Sequence, residues 1–234
     1  MLKKIIIIIL VIFLAIISIG ALLMTYEYKK ADGELQILVL LVDTNQSSAG
    51  GVGEVVMAFV VPMVNYDAIN ITPIYPGGMY HPHATAPSQG QEPSSGTKLS
   101  LNDTLLSNGI QNGTKLAQET VEYNTRMKTN AVVIMTPTAV KAMIKAVDPL
   151  YAERLGYVNS SSLDILLNKQ NLEETRGSSL KIVMRALMET YHDPLKRPAL
   201  LQAVAHQYLI GNIIPIPQKL FLQLGIASVT NKLV

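Results

Sequence analysis

The segment 5–24 contains no charged residue and is apolar except for Ser18, and shorter apolar runs follow it along the chain. At about 1.5 Å rise per residue, a helix of about 20 residues crosses a hydrocarbon core of about 30 Å. A signal peptide has a shorter apolar core and ends in small residues, whereas this run ends in Ala21-Leu22-Leu23-Met24. The pattern predicts an uncleaved transmembrane anchor, with a cytoplasmic tip over 1–4 and a polar stalk over 25–34.

Residues 35–234 carry apolar runs of strand length, bounded by turn residues, and are enough for one buried domain. Leu35–Val42 predicts a strand that is buried on both faces, as in a helix-covered sheet. Val55–Val64 and Ala68–Tyr75 predict two further strands. Because Asn65-Tyr66-Asp67 between them is typical of a hairpin turn, we expect these two strands to be antiparallel neighbours.

The second half of the chain shows helical periodicity around one more strand. A helix over about 115–128, with Leu116, Tyr123 and Met127 on one face, leads into a buried strand at Ala131–Met135. Thr136 and Pro137 then occupy the N-cap and N1 positions of the next helix. This helix places Val140, Met143, Ile144 and Val147 on one face and ends at Asp148-Pro149.

Further helices are predicted over Ser179–Tyr191, from Asp193-Pro194 through Leu209, and from about Pro217. Strands followed by helices with one apolar face indicate a layered α/β/α sandwich with a mixed central sheet. The intervening segment 76–99 is rich in Pro, Gly and Ser and is too long for an ordinary connection, so it is either functional or disordered. We expect Pro76–Pro87 to be ordered over the sheet and Ser88–Lys98 to be mobile.

The side of the membrane is not decided by charge, because Lys3 and Lys4 before the anchor are matched by Lys29 and Lys30 after it. The absence of Cys and five N-x-S/T tripeptides favour the extracytoplasmic side. Those tripeptides begin at Asn45, Asn70, Asn102, Asn112 and Asn159. Beyond residue 30 the basic and acidic residues nearly balance, so nucleic acid is not an expected partner.

Candidate ligand-binding groups cluster around the predicted first and second strands. Asp43 and Glu54 flank a Gly-rich segment with Gly50, Gly51 and Gly53. Paired carboxylates at strand ends can hold Mg²⁺ through oxygen ligands, completed by water or a diphosphate. The backbone amides of the glycines can cradle an anion. Alternatively, the aspartate caps a turn, the glutamate is solvated and the glycines only form a turn.

Other candidates lie farther along the chain, where no GxSxG, HExxH or P-loop motif occurs. His81-Pro82-His83 offers two imidazoles, but a transition-metal site needs a further ligand, so we do not favour zinc. Arg176 and Arg185 are the best candidates for holding phosphate oxygens. The alternative for both is pairing with a neighbouring glutamate such as Glu173, Glu174 or Glu189.

Several segments together resemble one family. These are ILVLLVDTNQ, GGVGEVVMAFVV, INITPIYPGGM, TNAVVIMTPTAVKAMIKAVDPL and the helices from Arg176 to Pro217. They resemble DUF4012, a family of domains of unknown function, in the form found in membrane-anchored archaeal surface proteins. The resemblance covers residues 35 to about 225 and is most specific at Ala131–Pro149, then at Gly50–Gly53 and at the stretch that begins with Tyr75.

That family is similar to the LytR-CpsA-Psr (LCP) transferases, which use Mg²⁺ to move glycopolymers from a polyprenyl diphosphate carrier onto cell-wall material. The resemblance implies an LCP-like fold, and Asp43 matches an aspartate near the end of the first strand of the transferases. Tyr75 and His81 are further candidate ligand-binding residues. In the transferases an Arg-x-Asp opens the second strand, where this chain has Val52 and Glu54, and a Pro-Arg-Asp follows the third, where it has Pro76-Gly77-Gly78. Because most of the cations are missing, charge stabilisation of a phosphoryl oxygen is reduced.

Three functions are therefore open. The leading hypothesis is a cell-envelope protein whose LCP-like domain binds a lipid-linked glycan or another surface ligand. The second is a Mg²⁺-dependent phosphotransferase whose cationic residues have moved. The third is a structural or partner-binding surface module that uses the segment Pro76–Pro87. An apolar tunnel long enough for a polyprenyl chain would separate the first two from the third.

Overall fold

A computed structural model of the protein describes residues 35–46, 51–64, 67–86, 98–106, 108–163 and 173–219. The predicted tip, anchor and stalk, Gly50 and most of the predicted last helix lie outside these residues. Within the described ranges, no helix is both long and apolar enough to cross a membrane. Residues 35–220 form one compact unit.

The strands and helices are as follows in chain order. The strands are β1 (Leu35–Asp43), β2 (Glu54–Val64), β3 (Asp67–Ala68), β4 (Thr72–Ile74), β5 (Tyr80–Thr85), β6 (Lys98–Ser100), β7 (Ala131–Met135), β8 (Leu150–Ala152), β9 (Gly156–Val158) and β10 (Ile213–Ile216). The helices are α1 (Gly109–Thr125), α2 (Pro137–Ala146), α3 (Glu173–His192) and α4 (Arg197–Leu209).

A six-stranded mixed sheet forms the centre of the fold, in the order β10-β7-β1-β2-β3, with β4 also paired to β2. β1 and β7 are parallel, whereas β1 and β2 are antiparallel. The mixed sheet and its strands β1, β2 and β7 confirm the expectations from the apolar runs. Two smaller antiparallel pairs, β5 with β6 and β8 with β9, lie outside this sheet.

The third strand differs from its prediction. Ala68–Tyr75 is not one strand but contributes to two short ones, β3 and β4, which both pair antiparallel with β2. Between them Ile69 donates its amide hydrogen to the carbonyl of Pro62 at 3.0 Å. Because Pro62 has no N–H to return, the ladder is interrupted there. The predicted turn residues Asn65 and Tyr66 lie outside the described part of the chain.

Helices cover both faces of the sheet, as the sandwich prediction requires. On one face Leu38 and Leu40 of β1 belong to a buried cluster with Ala117 and Val121 of α1. On the other face the alternate residues of β1, such as Val39, meet α2 and α3. Both sets of β1 side chains are therefore removed from water, which explains the nearly continuous apolar run.

Helix α1 differs from its prediction in both position and face. It begins at Gly109, ahead of the expected start, and Tyr123 is exposed on it. Its buried face contains Ala117 and Val121 together with Thr114 and Thr120. Each threonine hydroxyl donates to the carbonyl four residues earlier, at 2.7 and 2.8 Å, so burial leaves neither hydroxyl unsatisfied. The buried face of α1 was therefore predicted wrongly, because two of its buried residues are threonines rather than apolar residues.

The helix after β7 confirms its prediction. Thr136 caps α2 by accepting the amide hydrogen of Ala139 on its side chain, and Pro137 follows in the first turn. The chain then forms the unpredicted β8–β9 pair. Helix α4 begins at Arg197 rather than at Asp193-Pro194. Strand β10 was also missed, because its short IIPI sequence contains a proline, which is tolerated at this sheet edge.

Candidate functional site

Asp43 and Glu54 face each other across two neighbouring strands. Asp43 ends β1, Glu54 begins β2, and the two are register partners in the antiparallel pair. Directly opposed residues in such a pair project to the same face, with Cβ atoms about 4.5–5.5 Å apart. Both residues are half-buried. The fold thus brings together the two acids that the sequence placed on either side of the Gly-rich segment.

Strand alternation decides which face the two acids occupy. Their immediate neighbours Val42 and Val55 are fully buried in the cluster beneath α1. Because successive side chains point to opposite faces, Asp43 and Glu54 project toward the side of α2 and α3. Asp43 also closes the turn after β1, since its Oδ1 accepts hydrogen bonds from the backbone and side-chain nitrogens of Asn45 at 3.0 and 2.9 Å.

An apolar cavity lies on this same face, between the sheet and the helices. Its walls are Val39, Leu41, Phe59, Met135, Val140, Leu180, Val183 and Met184. Leu41 is two residues before Asp43 on β1, so the acid pair stands just beyond one end of the cavity. The free space holds about one water-sized sphere. Three of the walls, Leu180, Val183 and Met184, belong to α3, which the sequence predicted as a helix over Ser179–Tyr191. The cavity itself was not predicted.

Two helices begin at this end of the sheet. β1 and β7 are parallel with Leu41 opposite Met135, so α2, which starts at Pro137, begins beside the end of β1. At the start of α3, a Cβ on Gly177 would lie 2.5 Å from Cε1 of Tyr75. This approach brings an early residue of α3 beside the ring of Tyr75, the residue after β4. The N-terminus of α2, which is the positive end of its dipole, lies at the same end of the sheet as the acid pair.

The two candidate arginines are placed differently. Arg176 immediately precedes Gly177 in the first turn of α3, and its side chain is outside the described part of the structure. Arg185 is exposed. It follows the cavity-lining residue Val183 by two positions, which is about 200° around a helix. The structure therefore does not bring Arg185 to the acid pair.

The glycines after β1 serve close packing of the backbone. The amide groups of Val52 and Gly53 donate to the carbonyl of Leu105 at 2.8 and 3.4 Å. A Cβ on Gly51 would collide with the carbonyl of Leu106, and one on Gly53 would collide with that of Asp43. The described glycines thus fit the turn interpretation, and the amides of Val52 and Gly53 are directed at protein rather than at an anion.

His81 lies away from the acid pair, on the side of α1. It is buried on β5, and its Nε2 is 2.9 Å from Oε2 of Glu119 on α1. Its Nδ1 accepts the amide hydrogens of His83 and Ala84 at 3.1 and 2.8 Å. Since Nδ1 is an acceptor, the geometry assigns the proton to Nε2, which donates to Glu119. Both ring nitrogens are occupied within the protein, so His81 stabilises the contact between β5 and α1.

No group of three or more potential metal-ligating side chains occurs in the described residues. A divalent cation held by Asp43 and Glu54 would therefore take its remaining oxygen ligands from water, backbone or the bound ligand. Mg²⁺ commonly binds in this way, through one or two carboxylates plus phosphate oxygens.

Comparison with known proteins places the fold. A family model described as a protein of unknown function (DUF4012) matches residues 32–171. Protein gbs0355 from Streptococcus agalactiae has a similar structure, with 14% identity, a TM-score of 0.55, and coverage of 84% of this chain and 75% of that one. TagV from Bacillus subtilis has 16% identity, a TM-score of 0.50, and coverage of 84% and 80%. No curated protein matches the sequence.

Proposed function

Because the chain belongs to the DUF4012 family and has an LCP-like fold, we propose that it is a membrane-anchored cell-envelope protein that binds a lipid-linked glycan. The observation that carries the proposal is the position of the acid pair. Asp43 and Glu54 project from the same sheet face as an apolar cavity and stand at one end of it. An amphipathic ligand with an anionic group between a lipid chain and a glycan matches this arrangement.

In this proposal Mg²⁺ joins the two acids to the ligand. Two carboxylates repel a diphosphate, but a bound Mg²⁺ would be coordinated by both and by the phosphate oxygens. The first turn of α2 adds favourable partial charge at the same end of the sheet. Arg176, whose backbone lies next to the Tyr75 contact, is the nearest arginine candidate for pairing with the phosphates.

The lipid chain would occupy the space between the sheet and α3. The cavity holds about one water-sized sphere, so the helix must move away from the sheet before a polyprenyl chain can enter. Met135 and Met184 line this space. Methionine side chains are unbranched and flexible, so they can repack around an entering chain at modest cost.

Binding is favoured over group transfer because the cations expected of a transferase are missing. Val52 stands where the resemblance implies an arginine, and it packs against the core beneath α1. Pro76-Gly77-Gly78 stands where Arg and Asp are expected, and the φ angle of Gly78 is +78°. These positions offer no guanidinium or carboxylate to a phosphoryl group.

The described segment is placed on the extracytoplasmic side in this proposal, in keeping with the acceptor tripeptides.

Calorimetric titration of the full chain in detergent with a polyprenyl diphosphate, with and without Mg²⁺, tests the proposal. We expect Mg²⁺-dependent binding that Asp43→Asn weakens by at least about tenfold, equivalent to ~1.4 kcal/mol. Asparagine retains the oxygen that accepts from Asn45, so the turn after β1 should persist. Glu189→Gln, which removes an exposed carboxylate elsewhere on α3, is the matched control.

A second variant tests the lipid part separately. Met184→Glu places a charge in the cavity wall and should abolish binding of the polyprenyl diphosphate while leaving weak binding of Mg²⁺ with inorganic diphosphate. Equal binding by the parent and Asp43→Asn would refute the metal-assisted site. Mg²⁺-dependent cleavage of the carrier diphosphate would instead establish the phosphotransferase, and absence of any binding would favour a structural surface module.

A further inference from the structure

Exposed apolar side chains collect at one end of the domain, opposite the acid pair. This end, called the entry end, is where β1 begins at Leu35. Large exposed hydrophobic side chains found there are Val64, Ile69, Tyr123, Tyr151, Tyr157 and Leu195. Exposed patches of this kind mark interaction surfaces when several such side chains share one region.

The register of the central sheet locates Val64 and Ile69 at the entry end. Leu35 is the register partner of Met63, so Val64 lies just past the start of β1. Ile69 is held beside Val64 by its amide hydrogen bond to Pro62, the partner of Gln36. On the other side of β1, Asn130 donates to the carbonyl of Gln36 at 3.0 Å. Tyr123 precedes Asn130 in the last two turns of α1, so it belongs to the same end.

The direction of α2 places the remaining three residues at the entry end. This helix begins beside the carboxyl end of β7 and packs back across the sheet, so its C-terminal end points to the entry end. The β8–β9 hairpin starts there and presents Tyr151 and Tyr157, whose rings meet edge to face at 5.6 Å and are 63% and 75% exposed. Lys196 donates to the carbonyls of Val147 and Pro149 at 3.0 and 2.6 Å. It thereby fixes the turn that carries Leu195 beside the hairpin.

We infer that the entry end docks on the surface of a lipid bilayer. The inference rests on the proposed anchor. The sequence before Leu35 indicates that the partner of this surface is a bilayer. The uncharged run 5–24 is joined to Leu35 by only the segment 25–34. Even fully extended, at about 3.3–3.6 Å per residue, this segment keeps the entry end within about 36 Å of the bilayer.

The chemistry of the surface fits the interfacial layer of a membrane. Tyrosine is enriched at membrane–water interfaces, where its ring contacts acyl chains and its hydroxyl remains among the headgroups. Three of the six side chains are tyrosines. Arg126 and Arg154 are exposed near them, and their guanidinium groups can contact lipid phosphates. The acid pair then lies at the end of the sheet that faces away from the bilayer.

The absence of Trp from the sequence permits a direct measurement. Tyr157→Trp gives the full chain a single tryptophan at the entry end, which can be excited selectively over the tyrosines, and Ile69→Trp gives a second, independent single-tryptophan variant. Leu209→Trp is the matched control, because Leu209 is 79% exposed but precedes Asn212, which pairs with Thr136 at the opposite end. Each protein is reconstituted into phosphatidylcholine vesicles whose acyl chains carry bromine, and vesicle flotation verifies anchoring.

We expect bromine to quench most of the fluorescence at positions 157 and 69 and to leave position 209 nearly unchanged. Equal quenching at all three positions, or none at either entry-end position, would overturn the inference. A blue shift at position 157 without quenching, together with self-association, would identify a second copy of the chain as the occupant. If the protein does not float with the vesicles, the proposed anchor is refuted, and the inference that depends on it is refuted as well. No glycan lipid is present, so failure of the proposed function would not affect these results.

Discussion

Gly53 provides a sharp test of how the acid pair is positioned. The residue has a φ angle of +149°, and a Cβ added to it would lie well inside 3.0 Å of the carbonyl of Asp43. Gly53→Ala therefore combines two costs. The backbone conformation costs about 1–3 kcal/mol for a non-glycine residue. Forcing the main chain of Asp43 to move adds about 1–3 kcal/mol.

The sum, about 2–6 kcal/mol, is a large part of the 5–15 kcal/mol by which domains are typically stable. For a domain of this size, each kcal/mol lowers Tm by about 2–4 °C, so we expect a decrease of roughly 4–24 °C. Thermal unfolding of the full chain in detergent, followed by circular dichroism, measures the change. Gly53→Ala should also disturb the acid pair, because the carbonyl that must move belongs to Asp43.

Gly78→Ala is the matched control. Gly78 also has a positive φ angle, +78°, but a Cβ there would meet nothing within 4 Å. This variant should lower the free energy of unfolding only by the cost of the backbone conformation, about 1–2 kcal/mol. If Gly53→Ala and Gly78→Ala lower Tm equally, the close approach between Gly53 and Asp43 does not exist and the reasoning is refuted.

Three further variants test other parts of the fold. Ile144→Asp places a carboxylate in a fully buried position of α2 and should cost more than about 3 kcal/mol; a Tm within a degree or two of the parent would show that the helix is misplaced. Thr136→Ala removes the N-cap of the same helix and should lower the free energy of unfolding by about 1 kcal/mol in denaturant titrations; no change would mean that the cap is dispensable. Glu54→Gln relieves the like-charge pair with Asp43 and should raise stability by about 0.2–1 kcal/mol without Mg²⁺, while reducing the stabilisation that added Mg²⁺ gives the parent; lower stability without Mg²⁺ would contradict the opposed-acid geometry.

The proposed binding role and the membrane-docked orientation make different demands on the domain. Docking places the entry end on the bilayer and requires its tyrosines to stay rigidly presented by the β8–β9 hairpin. Lipid binding requires α3 to move relative to the sheet at the cavity. The turn carrying Leu195 is fixed to Val147 and Pro149 through Lys196, whereas the hairpin strand β8 packs against α3. Movement of α3 during lipid binding therefore acts on the β8–β9 hairpin as well.

The sequence by itself determined the elements whose signals are local. β1, β2 and β7 were predicted because strands covered on both faces need apolar residues at nearly every position. The start of α2 was predicted because the Thr136-Pro137 pair satisfies helix-end geometry within a few residues. The acids Asp43 and Glu54 were recognised because each adjoins the end of such a strand.

The tertiary structure alone decided how these pieces meet. Whether Asp43 and Glu54 share a face depends on strand register, which involves partners that are distant along the chain. Arg185 was a candidate by residue type, but the rotation of α3 placed it on the outer surface. His81 offered two ring nitrogens, and contacts with α1 and its own loop used both. The glycines of the turn after β1 were ambiguous, because a backbone amide can serve an anion or a carbonyl, and only the approach of residues 101–106 determines which one it meets.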